Sequence, residues 1–112
     1  MTASFNAALA NIVVPSGAAI SRTVIAFEEY ADATAVCLIA PASLDGATYT
    51  IEVSFDGATF VTLNDGTADI GPPAAGKGRQ YVELCGFNFF RIRQSINAGA
   101  DRTFRASKQW TA

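Results

Sequence analysis

The sequence predicts an all-β protein: an antiparallel β-sandwich, jelly-roll-like, built from about eight short strands. Three observations carry this. Short runs rich in β-branched and aromatic residues are separated by Gly, Pro, Asn and Asp turn signals at the spacing usual in sandwiches. Several runs alternate apolar and polar residues with period two, the pattern of a half-buried strand. No segment carries the periodicity of a long amphipathic helix.

Taken in order, residues 1–12 are small and weakly apolar and read as an N-terminal arm, with a short helical turn as the other reading of its first ten residues. Residues 13–112 read as a single β-sandwich domain. A strand over residues 11–14 ends at the Pro15-Ser16-Gly17 turn. Residues 20–27 form the next strand, and residues 28–32 a polar connection. Residues 33–40 (ATAVCLIA) are almost wholly apolar, which suits a strand buried on both faces, and Pro41 stops it. The clearest strand is 49–55. Tyr49, Ile51, Val53 and Phe55 point one way, while Thr50, Glu52 and Ser54 point the other. Asp56-Gly57 follows at once and predicts a two-residue type I′ hairpin, because both positions of that turn need positive φ. The chain returns over residues 58–63 and turns again at Asn64-Asp65-Gly66. Residues 45–49 echo residues 56–60, which shared turn chemistry explains. Residues 71–80 (GPPAAGKGRQ) are half Gly and Pro and read as one long irregular loop. A strand over 81–84 is broken by Gly86. Residues 88–94 then place Phe90 and Ile92 on one face and Phe89, Arg91 and Arg93 on the other. After a loop at 95–101, the last strand (102–110) carries Phe104, Ala106, Lys108 and Trp110 on one face and Thr103, Arg105, Ser107 and Gln109 on the other.

The length, 112 residues, suits one domain with a core of its own. Half the residues are hydrophobic and few are charged, which excludes a disordered chain. The net charge of −2 argues against nucleic acid as the primary ligand. That charge is unevenly spread. Residues 1–76 hold one basic residue, Arg22, against eight acidic ones; residues 77–112 hold seven basic residues against Glu83 and Asp101. Either the two halves meet across subunits, or interleaved strands mix the charges within one fold. Cys37 and Cys85 lie in apolar runs without CxxC spacing and read as free thiols, a disulfide between core strands being the alternative. The N-terminus shows no signal-peptide pattern, and no stretch approaches the length of a membrane span, so synthesis and folding in the cytoplasm are expected.

Chemistry is sparse. Without histidine there is no Ser-His-Asp triad, no Cys-His pair and almost no route to a zinc site. The serines lie in no GxSxG elbow, and neither GxGxxG nor a phosphate-binding P-loop occurs. Glu52 with Asp56, or Glu83 with Asp101, are the carboxylate pairs to weigh for glycosidic chemistry. Asp45, Asp56, Asp65 and Asp69 are the oxygen donors to weigh for calcium. Strand faces and turns explain these acids more simply, so neither enzyme activity, cofactor nor metal is expected. The C-terminal third interleaves Tyr81, Phe87, Phe89, Phe90 and Trp110 with arginines, a composition enriched at protein interfaces. Phe5, Lys77, Arg79, Phe89, Arg91, Arg93, Arg105 and Trp110 are the candidate contact residues, contributed by the arm, the 71–80 loop and the C-terminal strands.

The segment YTIEVSFDGATFVTL (49–63), with Val14-Pro15-Ser16-Gly17-Ala18 before it and Phe90-Arg91-Ile92-Arg93 and Asp101-Arg102-Thr103 after it, resembles a set of small β-sandwich proteins encoded among tailed-phage structural genes. The likeness spans roughly residues 13–105 and lies in the order of five short elements. It implies a virion role: a head decoration or cement protein made in the host cytoplasm, bound to the major capsid protein or other virion proteins, and present as a trimer or dimer. A neck or tail component is the nearest alternative. The sequence departs from that pattern at residues 27–32 and in the 71–80 loop. The hairpin and the strand after it also resemble discoidin-like jelly rolls, which implies a carbohydrate-binding module as the rival reading.

Overall fold

The longest strand is the last one, β9 (Arg102–Thr111), and the chain folds around it. The structure is a computed structural model describing residues 4–21, 23–44, 48–95 and 100–111. Among these, eight further strands precede β9: β1 (Ser4–Ala8), β2 (Ile12–Val14), β3 (Ile25–Ala26), β4 (Ala35–Ile39), β5 (Tyr49–Ser54), β6 (Val61–Thr62), β7 (Gly78–Tyr81) and β8 (Phe89–Gln94). They form two antiparallel sheets packed face to face. The first has five strands, in the order β1-β9-β4-β7 with β2 also on β9; the second has four, in the order β3-β8-β5-β6. With β1 and β2 counted as one interrupted edge strand, this is the strand order of a jelly roll.

The interruption is a bulge. Ser4 to Ala8 pair with Thr111 to Ser107, and Ile12 to Val14 pair with Phe104 to Arg102, so one extra residue is taken up between the two segments. Leu9 still donates its N–H to the Ala106 carbonyl (2.9 Å) inside that bulge. Most of the segment read as an arm therefore runs along the sheet as strand, and Ile12 is fully buried in the core.

The alternation in β8 holds: Phe90 and Ile92 are buried, and Phe89, Arg91 and Arg93 face outward. Phe104 and Ala106 of β9 are buried opposite them. Two edge-to-face aromatic pairs brace the core: Tyr49 with Phe104 across the two sheets (centroids 5.4 Å apart), and Tyr30, from the connection before β4, with Phe90 (5.6 Å). Each buried tyrosine hydroxyl finds an acceptor: Tyr30 donates to the Phe87 carbonyl, Tyr81 to the Gly71 carbonyl, and Tyr49 to Gln94 Oε1. The buried Gln94 amide in turn donates to the Ala18 carbonyl, and Asp101 Oδ1 accepts from the Ser16 N–H at 2.8 Å. The Pro15–Ala18 turn is thus held to both sheets by two side chains from the far end of the sequence.

Several sequence expectations change. The strand expected over 20–27 is broken: Ile20 makes an isolated bridge to Arg93, and the β3 ladder holds only Ile25 and Ala26. The Ser21 hydroxyl stands in for the missing ladder group by accepting from the Ile92 N–H. β4 is not buried on both faces, since no layer of the described residues covers the outer side of its sheet: Ile39 is 44% exposed and Cys37 half-buried. The 71–80 loop gives way to β7 at Gly78, because Ile39, Leu38 and Cys37 offer it a ladder. The run after Tyr81 leaves the sheet for a 3-10 turn (Glu83–Gly86) that seals the core with Leu84. Both cysteines are free thiols.

Nor is the 56–57 turn a two-residue hairpin. β5 and β6 pair only as far as Val53 opposite Val61, leaving a wide loop between them. Asp56 organises it: its Oδ1 accepts from the N–H groups of Ala58 and Thr59 and from the Ser54 hydroxyl. Gly57 (φ +78°) sits above Phe89, whose ring lies 3.2 Å from where a Cβ would be. Gly66 also has positive φ (+98°), but open space around it. Gly57→Ala should therefore lose more than the roughly 1–2 kcal/mol that left-handed backbone costs a side chain, and Gly66→Ala should lose about that amount alone. Urea unfolding of the two variants checks the order.

Candidate functional site

The two outer sheet faces and the loop end between them carry the surface chemistry. On the outer face of the second sheet, Glu52 of β5 stands directly across from Arg91 of β8, with Arg93 on the diagonal. Arg91 Nε donates to Glu52 Oε1 at 2.8 Å, and Arg93 Nε donates to Glu52 Oε2 at 2.9 Å. The Arg91 guanidinium also lies 3.9 Å from the centroid of Phe60, over its ring. Glu52 is buried beneath this arrangement, although it belongs to the polar face of its strand. Burial alone would raise its carboxyl. The hydrogen bonds and charges of Arg91 and Arg93 outweigh that and hold it below the ordinary carboxylate range. Phe89, on the same face, lies under the Gly57 turn.

The other candidate contact residues are elsewhere. Arg79 projects from β7 at the edge of the first sheet, 3.6 Å from Glu83 and 4.5 Å from the Tyr81 ring centroid. Lys77 is exposed just before it, its carbonyl accepting from the Ala40 N–H. Arg105 is exposed on the outer face of the first sheet, beside a shallow groove of about 200 Å³ that runs over Cys37, Ser107 and Ala8. Trp110 is half-buried near the end of β9, with Lys108 Nζ 5.5 Å from its ring centroid. Phe5 pairs with Trp110 through the β1–β9 ladder; its side chain lies outside the described residues. The arginines that read as one cluster are thus divided between opposite sheets.

Sequence reasoning missed the loop end. Phe55 continues the inward alternation of β5 but is 69% exposed, and Val61 across from Val53 is 59% exposed. With Phe87, which stacks on Phe55 at 5.4 Å, they line an apolar groove of about 300 Å³ rimmed by Asp56 and Thr59. The signal was present: Phe55 is the last residue before a turn, where the alternating face runs past the rim of the opposing sheet.

The carboxylate pairs serve the fold. Asp56 is held low chiefly by the N–H groups of Thr59 and Ala58, the reverse of the raised carboxyl a general acid needs. Glu83 pairs with Arg79, and Asp101 caps the Ser16 turn. Of the aspartates weighed for calcium, Asp65 accepts from Thr67 and Ala68, Asp69 accepts from Asn64, and Asp45 lies outside the described residues. Among the described residues no group of three acids or cysteines is placed to hold a metal, and no helix is long and apolar enough to cross a membrane.

Glu52→Gln should cost about 1.5–3 kcal/mol, the range for a hydrogen bond to a charged group. Because the folded carboxyl is held low, its contribution is complete above the unfolded value near 4.5 and is lost as pH falls through the folded one. The Glu52→Gln variant should therefore lose less stability than the parent as pH is lowered from about 5, as read by denaturant midpoints across that range. No protein-family model, curated protein or solved structure matches the chain.

Proposed function

We propose that this chain is a structural protein of a tailed-phage virion, a head decoration or cement protein that binds across capsomer boundaries as a homo-oligomer. It is made in the host cytoplasm and ends in the virion. The ordered sequence elements bring the reading, and one structural observation carries it furthest. The groove at the loop end, formed by Phe55, Val61 and Phe87, is an exposed apolar patch set on a rigid sandwich. A patch of this kind suits contact with another protein, and a repeating lattice multiplies weak contacts into firm attachment. The neck or tail of the virion offers the same kind of lattice. A carbohydrate-binding role draws on the same place, since Phe55 and Phe87 stand beside Asp56 and Thr59 at one end of the sandwich.

Heads assembled from the major capsid protein of the same genome, mixed with purified protein and sedimented, test the proposal. Saturable co-sedimentation at a fixed ratio to capsomers is expected. Phe55→Ser should weaken it by about tenfold or more while leaving the melting temperature nearly unchanged, as for an exposed contact residue. Absence of binding to heads, with specific hits on a glycan array, overturns it in favour of carbohydrate recognition.

A further inference from the structure

The jelly roll leaves four sheet edges, and three are protected. β3 is two residues long and is followed by Glu28 and Glu29. β6 is two residues long and runs into the Asn64-Asp65 turn. β7 carries Arg79, with Glu83 just beyond. The fourth edge, β1, is neither short nor charged, and the bulge that separates it from β2 lies beyond its last residue. It is five residues long, pairs among the described residues only with β9, and belongs to a stretch, residues 1–21, without a charged residue; Pro15 lies beyond β2.

The direction of its free groups follows from the ladder. Leu9 directs its N–H to β9, so in antiparallel alternation Ala7 and Phe5 also face β9, while Ser4, Asn6 and Ala8 turn N–H and C=O toward the open edge. We propose that β1 pairs antiparallel with β1 of a second copy, joining two five-stranded sheets across a two-fold axis at Asn6. An antiparallel strand is complementary to itself under such an axis. Asn6 exchanges both backbone hydrogen bonds with Asn6 of the second copy, and Ser4 does so with Ala8 on either side. A strand without charge meets its copy without like-charge repulsion, and the same uncharged edge supplies both sides of the two-fold join. The outer side chains at the join, Asn6 and Ala8, border the shallow groove over Ser107 and Cys37.

This deepens the homo-oligomer reading above, yet stands or falls apart from head binding, because its test contains no heads. Sedimentation velocity from low to high micromolar concentration should show a monomer–dimer equilibrium. Hydrogen exchange at the amides of Ser4, Asn6 and Ala8 should slow as the dimer fills. Asn6→Lys puts two ammonium groups across the axis, and Asn6→Pro removes the outward N–H without touching a β9 hydrogen bond. Both should shift the equilibrium at least tenfold toward monomer; Asn6→Lys should also keep the parent circular dichroism spectrum and melting temperature, while Phe55→Ser should dimerise normally. A parent that stays monomeric at the highest concentration, or a dimer that survives Asn6→Lys with those amides still exchanging freely, overturns the proposal.

Discussion

The pairing of β9 with β4 on one side and with β1 and β2 on the other is the constraint on which the rest of the structure depends. β9 is the centre of the first sheet, and it pairs with strands from much earlier in the chain. Until it docks, β1 and β2 have no sheet partner, and β4 has only β7. Phe104 is also the side chain through which the first sheet meets Tyr49 of the second. Pairings such as Phe5 with Trp110 close nearly the whole chain into a loop, a large entropy loss that must precede the reward. A topology so rich in distant pairings folds slowly compared with a helical protein of the same size.

The same interleaving resolves the lopsided charge of the sequence. The acidic part supplies β5 and the turn before β4, and the basic part supplies β8 and β9. Because jelly-roll order sets β8 beside β5, Glu52 lies between Arg91 and Arg93, and Asp32 meets Lys108 at 2.8 Å. Charges separated along the chain become neighbours inside one molecule, so the asymmetry needs no second subunit to neutralise it. The buried Glu52 illustrates the balance: removing water from a carboxylate is costly, and two guanidinium groups offset it only because the strand register puts both within hydrogen-bond reach.

Where a strand is long and flanked on both sides, its sequence pattern was legible. β8 shows its inward Phe90 and Ile92 plainly, and β9 its inward Phe104 and Ala106. Legibility failed at ends and edges, where tertiary contacts decide. Phe55 obeys the alternation but lies past the opposing sheet. Gly78 and Arg79 looked like loop until β4 offered a ladder. Asp56-Gly57 carries the signature of a tight hairpin, yet Asp56 commits its carboxylate to a wider turn that seats Gly57 over Phe89. The arginines that lie close along the chain are parted by the fold: β8 and β9 belong to different sheets, so Arg93 and Arg105 end on opposite faces. The apolar loop-end groove combines residues from three separate segments, and no local pattern could assemble it.

These placements say what kind of contact the surface is suited to. The arginines nearest a flat face, Arg91 and Arg93, are already committed to Glu52, and that cluster keeps only a single net positive charge. Arg79 and Lys108 are likewise engaged with acids of their own chain. Among the described residues, the surface also offers a partner apolar and backbone groups: Phe55, Val61 and Phe87 at the loop end, and the outward amides and carbonyls of β1. Contacts of those two kinds are little screened by salt, unlike the ion pairs the arginine-rich sequence first brings to mind. An association driven by them persists at high ionic strength and owes its specificity to shape and register rather than to charge.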